Sequence, residues 1–288
     1  MTDFVSIFEV GPRDGLQNEK TFVSTCDKVA LVDSLSLARF QKIEVASFVS
    51  PKWVPQMADG AALLGGIKRL PSVTYAALTP NLKGYENARA AKADEVAIFG
   101  SASEGFSQKN INCSIAESLE RFKPLVDLAR KDGVPVRGYV SCVVECPYDG
   151  MTKPEAVARV AQALFEMGCY EISLGDTIGK AHSCEIAAML DAVCEFVPVE
   201  KLAGHYHDTA NRALANIEVS LEKGVRTFDS AIGGLGGCPY APGAKGNVET
   251  LAVFDRLTEL GFETGIDRDQ LIKAGHLLTE IMGKFNHD

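Results

Sequence analysis

The stretch Tyr170-Glu171-Ile172-Ser173-Leu174, followed by a helical pattern over 183–196 and then by Leu202-Ala203-Gly204-His205-Tyr206-His207, decides the fold. Two short apolar runs flank one helix. A strand–helix–strand unit of this kind predicts a parallel sheet with its helices outside. The same unit recurs outward in both directions. Segments 6–10, 42–46, 73–78, 95–99 and 136–140 read as earlier strands, and 227–231 as a later one. Helices are expected after Ser24, a suitable N-cap for the apolar face of Val29, Leu31, Val32 and Leu35, and over 81–92, 114–132, 154–168 and 210–223. Eight strand–helix units in about 230 residues match a closed (β/α)8 TIM barrel of the α/β class better than an open doubly wound sheet. The glycine cluster Gly233-Gly234-Leu235-Gly236-Gly237 follows the last strand, not the first, so the dinucleotide fingerprint is missing. Two more helical segments, 247–260 and 268–284, are expected as additional C-terminal helices, and 1–288 reads as a single catalytic domain.

Composition narrows the partners. With 288 residues, 46% of them hydrophobic, the chain can bury one large core. A net charge of −9 without a basic stripe argues against nucleic acid. No apolar run approaches the roughly 20 residues of a membrane span. Met1-Thr2-Asp3-Phe4 carries no basic leader pattern, and the expected location is cytoplasmic. The eight cysteines are scattered and form no C-x-x-C, which suits reduced thiols. Cys142 and Cys146 have a zinc-like spacing, but no second pair follows.

In a barrel of this type the active site lies past the C-terminal ends of the strands. His205 and His207 stand two apart on a strand, so both imidazoles face one space, a metal-ligand spacing. After the first strand comes Gly11-Pro12-Arg13-Asp14-Gly15, a tight loop holding Arg13 and Asp14 at the rim. Glu44 alternates inward from the second strand, where a carboxylate needs a partner, and Arg13 is the natural one. The sixth strand ends in Gly175-Asp176-Thr177. Past the eighth, the glycine- and proline-rich segment 233–246 reads as a mobile lid that carries Cys238 and leads to Asn247. Asp14, His205, His207 and Asn247 can present two nitrogens and two oxygens. That donor set, with no thiolate, suits Mg²⁺ or Mn²⁺ better than structural zinc.

The segments Glu9–Lys20, Ser47–Gln56, Lys109–Ser114, Ser173–Gly179, His205-x-His-Asp-Thr209 and Gly234–Ala241 together resemble the 3-hydroxy-3-methylglutaryl-CoA (HMG-CoA) lyase family over nearly the whole chain. Arg13-Asp14 and the His-x-His-Asp run are shared with a wider superfamily of isopropylmalate and homocitrate synthases. Gly-Leu-Gly-Gly-Cys-Pro-Tyr and Ser-Phe-Val-Ser-Pro-Lys-Trp are narrower. The resemblance implies a divalent-cation-dependent cleavage of HMG-CoA to acetyl-CoA and acetoacetate by a homodimer or larger homo-oligomer. It implies metal ligands Asp14, His205, His207 and Asn247, with Arg13 on the thioester carbonyl. Glu44, Asp176 and Cys238 become further active-site positions, and Lys20 lies near the CoA end. Two departures stand out. Asn211-Arg212 replaces the family's usual Gly-Gln, and Leu251 replaces a Glu four residues after the metal-binding Asn, the nearest acid being Glu249.

As chemistry, Asp14 or His205 would take the substrate hydroxyl proton, Arg13 would face the enolate oxygen, and His205 or Cys238 would return a proton to carbon. Three rivals remain open on sequence. They are a Claisen-type synthase on a 2-oxo acid, a lyase for a related branched 3-hydroxyacyl-CoA, and a catalytically silent metal-binding scaffold.

Overall fold

Glu9 pairs with Ser230 and Ile7 with Phe228 in parallel register, and this meeting of the first and last strands closes the sheet. The computed structural model describes residues 3–19, 21–237 and 246–283. The barrel strands are Ser6–Glu9 (β1), Lys42–Ser47 (β2), Thr74–Leu78 (β3), Glu95–Ser101 (β4), Val136–Ser141 (β5), Glu171–Asp176 (β6), Leu202–Tyr206 (β7) and Thr227–Ser230 (β8). Each pairs in parallel with its neighbour in sequence, and β8 with β1. This is the (β/α)8 barrel expected from the periodicity.

The helices begin where local chemistry starts them. Ser24 accepts from the Asp27 N–H and opens Thr25–Leu37. Ser114 and Glu117 form a reciprocal capping box on Ile115–Asp132. Pro154 occupies the first turn of Pro154–Met167, where its missing N–H costs nothing. The outward faces of the strands, including Ile43, Val45, Val96, Ile98, Ile172 and Leu174, join the helices in one continuous core. Among the described residues no helix is long and apolar enough to cross a membrane.

Several expected boundaries move. Helices Gly60–Gly66 and Glu104–Ile111 and the small hairpin Glu145–Cys146 with Gly150–Met151 are additional. The first is hidden by three glycines in seven residues, a poor helix signal. The helix expected over 210–223 starts at Ala213, whose N–H donates to the Asp208 carboxylate at 3.0 Å. The one expected over 247–260 starts at Thr250, because Asn247 forms an antiparallel bridge with His207 instead.

Much of the barrel interior is ionic. Near the N-terminal ends of the strands Lys42 Nζ lies 2.8 Å from Glu95 and 4.1 Å from the centre of the Tyr170 ring. Above it, the fully buried Arg137 donates to Glu171 at 2.7 Å and to both oxygens of Asp229 at 2.8 and 3.0 Å, over the ring of Phe8. TIM-barrel interiors are usually stacked Val, Ile and Leu. Paired charges in that position are tolerable only while each keeps its partner.

Candidate metal centre and active site

β1 runs into Gly11–Gly15, which is a single turn of π-helix rather than the tight loop expected. The Val10 carbonyl accepts from the N–H groups of Arg13, Asp14 and Gly15. The turn swings Arg13 and Asp14 over the C-terminal mouth of the barrel. There they meet His205, on β7, and His207, just past its end. One ligand atom each from Asp14, His205 and His207 lies within 4.8 Å of the others. Both imidazole Nε2 atoms are 3.9 Å from Asp14 Oδ2. Asn247 arrives from the far end of the chain, and its amide donates to Asp14 Oδ2 at 2.8 Å.

The donor set fits a hard divalent cation. Asn247 Oδ1 is buried with no hydrogen-bond partner among the described residues, an arrangement that is costly unless a ligand is meant to fill it. Asn247 Oδ1, the Asp14 carboxylate and two imidazoles give oxygen and nitrogen donors with no thiolate. Burial, and then the neighbouring His205, push the His207 pKa down to about 4, so its ring is neutral near pH 7. Burial alone would raise Asp14. The Arg13 charge, the two imidazoles and the Asn247 amide outweigh it and hold the carboxyl well below the usual range.

Arg13 is buried and anchored on two sides. Its Nε and Nη2 lie 2.5 Å from Glu44 Oε2, and Nη1 donates to Asp14. Nε and Nη1 are hydrogen-bonded and Nη2 is in ion-pair contact, so the five-donor guanidinium keeps N–H bonds to spare. Burial pushes the Glu44 carboxyl up, against the pull of the guanidinium. Tyr139 OH donates to the same Glu44 oxygen at 3.2 Å, and Arg13 stacks 5.5 Å from the Tyr139 ring centre.

Asp176, expected as a further active-site position, sits at the end of β6 directly beneath His207. Its carboxylate faces backbone, accepting from Gly179 at 3.2 Å and Ala181 at 2.9 Å, and its carbonyl accepts the His207 N–H. It therefore shapes the loop beneath His207 and is not among the ligand cluster. Gly179 is required there: at φ +67° a Cβ would come 2.7 Å from the His207 carbonyl and the Thr209 N–H. Lys20, Cys238 and the lid residues 238–245 lie outside the described residues.

Sequence reasoning missed the groups behind the ligands. His205 Nδ1 lies 3.0 Å from Asp229 Oδ2, which also accepts from Ser173 at 2.9 Å and from Arg137. Burial would raise Asp229, but Arg137 and then His205 bring it down to about 2. This carboxylate holds the proton on Nδ1 and turns the Nε2 lone pair toward Asp14. The signal was available, since Asp229 is a lone acid inside a strand, as Glu44 is. The departures from the family pattern also find places. Asn211 sits at φ +56°, a conformation Asn tolerates in place of Gly, and Arg212 donates to the Lys180 carbonyl. Glu249 caps the helix Thr250–Glu259 through Ala252 N and also accepts from Gly233 N, while Leu251 packs on the core.

A cavity of about 1160 Å³ opens over this cluster, with Leu78, Phe99, Phe122 and Tyr139 on its wall and the exposed Lys109 and Arg121 also lining it. Comparison with known proteins settles the family. The family model described as HMGL-like matches residues 4–278. The chain belongs to the HMGL-like family. A 3-hydroxy-3-isohexenylglutaryl-CoA/hydroxymethylglutaryl-CoA lyase of Pseudomonas aeruginosa is 55% identical over 282 residues, which is 98% of this chain and 94% of that one. The mitochondrial hydroxymethylglutaryl-CoA lyase of Bos taurus is 54% identical over 280 residues, 97% of this chain and 86% of the other. The crystal structure of the HMG-CoA lyase from Brucella melitensis superposes with a TM-score of 0.95 at 59% identity, covering 97% of this HMGL-like chain and 99% of that one.

Proposed function

We propose that this protein is a divalent-cation-dependent carbon–carbon lyase that cleaves HMG-CoA to acetyl-CoA and acetoacetate. One observation carries the reading: Asp14, His205 and His207 converge at the barrel mouth with Arg13 beside them, in a chain that shares more than half its residues with HMG-CoA lyases. Asp14, His205, His207 and Asn247 would hold the cation. When bound, a Mg²⁺ or Mn²⁺ ion supplies Lewis acidity at the substrate oxygens it binds.

The chain's own residues supply the rest. Asp14 Oδ2 or His205 Nε2 takes the proton of the C3 hydroxyl. The C2–C3 bond breaks as C3 becomes the ketone of acetoacetate, and the electron pair passes to the thioester as an enolate. The remaining N–H donors of Arg13 would meet that oxygen, and Glu44 keeps the guanidinium from turning away. His205 or Cys238 then returns a proton to C2, completing acetyl-CoA. The segment 233–246 serves as the lid that keeps water out. Lys109 and Arg121, on the cavity lining, would meet the phosphates of the carrier, and the family resemblance assigns Lys20 to the same end of the substrate. Asp176 acts through the loop under His207. A cytoplasmic location and a homodimer or larger assembly belong to the same proposal, and cell fractionation and sedimentation check them.

The test is an acetoacetate assay on HMG-CoA with Mg²⁺ or Mn²⁺. Cleavage should vanish after chelation and return with metal. Condensation of acetyl-CoA with 2-oxo acids in the absence of any cleavage would make it a synthase instead. A second reading has its own support: the apolar wall of Leu78, Phe99 and Phe122 offers room for a longer C3 branch, and the P. aeruginosa relative is named for such a substrate. Comparing kcat/KM for the methyl and isohexenyl substrates separates the two.

A further inference from the structure

Glu9 is fully buried at the end of β1, has no cationic partner among the described residues, and spends both oxygens on three different segments. Oε1 accepts from the Gly11 N–H at 2.8 Å and the Ile232 N–H at 2.9 Å, and Oε2 accepts from the Thr250 hydroxyl at 2.7 Å. Thr250 is bonded in turn to Ser230 at 2.8 Å. The three segments are the ones that matter to the site. Gly11 opens the π-turn that carries Arg13 and Asp14. Ile232 begins the path out of β8 toward the lid. Thr250 starts the helix just after Asn247. A Cβ at Gly11 would come 2.5 Å from Glu9 Oε1, so the backbone is drawn hard onto the carboxyl.

We propose that Glu9 is a positioning residue that clamps the two ends of the chain together at the barrel seam and so sets the separation of Asp14 and Asn247. The inference rests on these two residues being cation ligands, as proposed above. The physical case is one of span. Asp14 and Asn247 are 233 residues apart and come from opposite sides of the closure, and their direct contact is a single amide–carboxylate hydrogen bond. A metal site tolerates only a few tenths of an ångström of ligand displacement. One hydrogen bond between ligands does not hold a seam to that tolerance. Three bonds to one buried carboxyl, within five residues of Asp14 and three of Asn247, do. Burial pushes this carboxyl up to about 7, against the pull of its three donors.

The test is calorimetric titration of Mn²⁺ into metal-stripped full-length protein, with urea unfolding run in parallel. Glu9→Ala should weaken Mn²⁺ binding by about 10- to 100-fold, as loss of an outer partner does. Glu9→Gln should stay within about threefold, because its Oε1 can take both N–H groups and its amide can donate to Thr250, whose hydroxyl then turns to donate to Ser230. Thr250→Val, which removes one of the three bonds without opening a cavity, should fall between them, and it decides the matter if Glu9→Ala does not fold. Folded Glu9→Ala or Thr250→Val protein with wild-type Mn²⁺ affinity overturns the clamp, as does a Glu9→Gln variant as impaired as the alanine. A wild-type chain that binds no Mn²⁺ overturns the cation reading itself, and the clamp with it.

Discussion

His205 Nδ1 and Asp229 Oδ2 lie 3.0 Å apart inside the barrel, on neighbouring strands whose register pairs the same two residues. The contact fixes which imidazole nitrogen carries the proton. Asp229→Asn would place an amide against that nitrogen and remove the charge that holds the proton there. Affinity for Mn²⁺ should drop about 10- to 100-fold with the fold retained. Titration calorimetry reads it directly, and an unchanged affinity would show that Asp229 serves Arg137 and Ser173 and not the cation site.

Arg13 has donors to spare and a fixed orientation. Arg13→Gln should lower kcat by about 10²- to 10³-fold while KM for HMG-CoA moves only a few-fold, the pattern of a group that acts on charge formed in the transition state. Steady-state kinetics decide it. Turnover within a few-fold of wild type removes Arg13 from this role.

Arg137 is the common partner of Glu171 and Asp229 at full burial. Arg137→Met keeps the bulk and strands two carboxylates. The expected loss is about 3–5 kcal/mol of folding stability, the cost of breaking a buried ion pair from one side. Urea unfolding measures it, and a loss below about 1 kcal/mol would place those carboxylates in contact with water.

Glu9 gives a pH signature. Its carboxyl is raised from the ordinary 4.5 to about 7 in the folded chain, so the folded state holds a proton that the unfolded state has already released. That stabilisation is fully present below about pH 4.5, and it declines as pH rises toward about 7. Relative to Glu9→Gln, wild type should lose roughly 3 kcal/mol across this window and then level off. His207, lowered to about 4, contributes with the opposite slope between about 4 and 6.5, but equally in both proteins. The difference between the two stability curves therefore isolates Glu9, and parallel curves would contradict its raised pKa.

The barrel was legible because its signal is local. Strand runs such as 170–174 and 202–207 alternate with helical periods, and that periodicity survives without knowledge of what packs on what. Glu44 was legible for a related reason, as a lone acid on the inward side of a strand. Arg137, Asp229 and Glu9 were not read, although Asp229 stands in its strand just as Glu44 does. Their meaning depends on partners 34, 92 and 223 residues away, respectively Glu171, Arg137 and Ile232. Asp176 was placed by resemblance among active-site groups, and its backbone partners in the loop under His207 could not be read from sequence.

By itself the sequence determined the eightfold strand–helix alternation, the rim positions of Arg13 and Asp14, and the common direction of His205 and His207, all consequences of spacing along a few residues. Tertiary structure alone decided the single π-turn at Gly11–Gly15, the charged filling of the barrel, and the meeting of Asp14 with Asn247. Those depend on where the closing seam brings distant backbone together, and closure is a property of the whole sheet that no local stretch encodes.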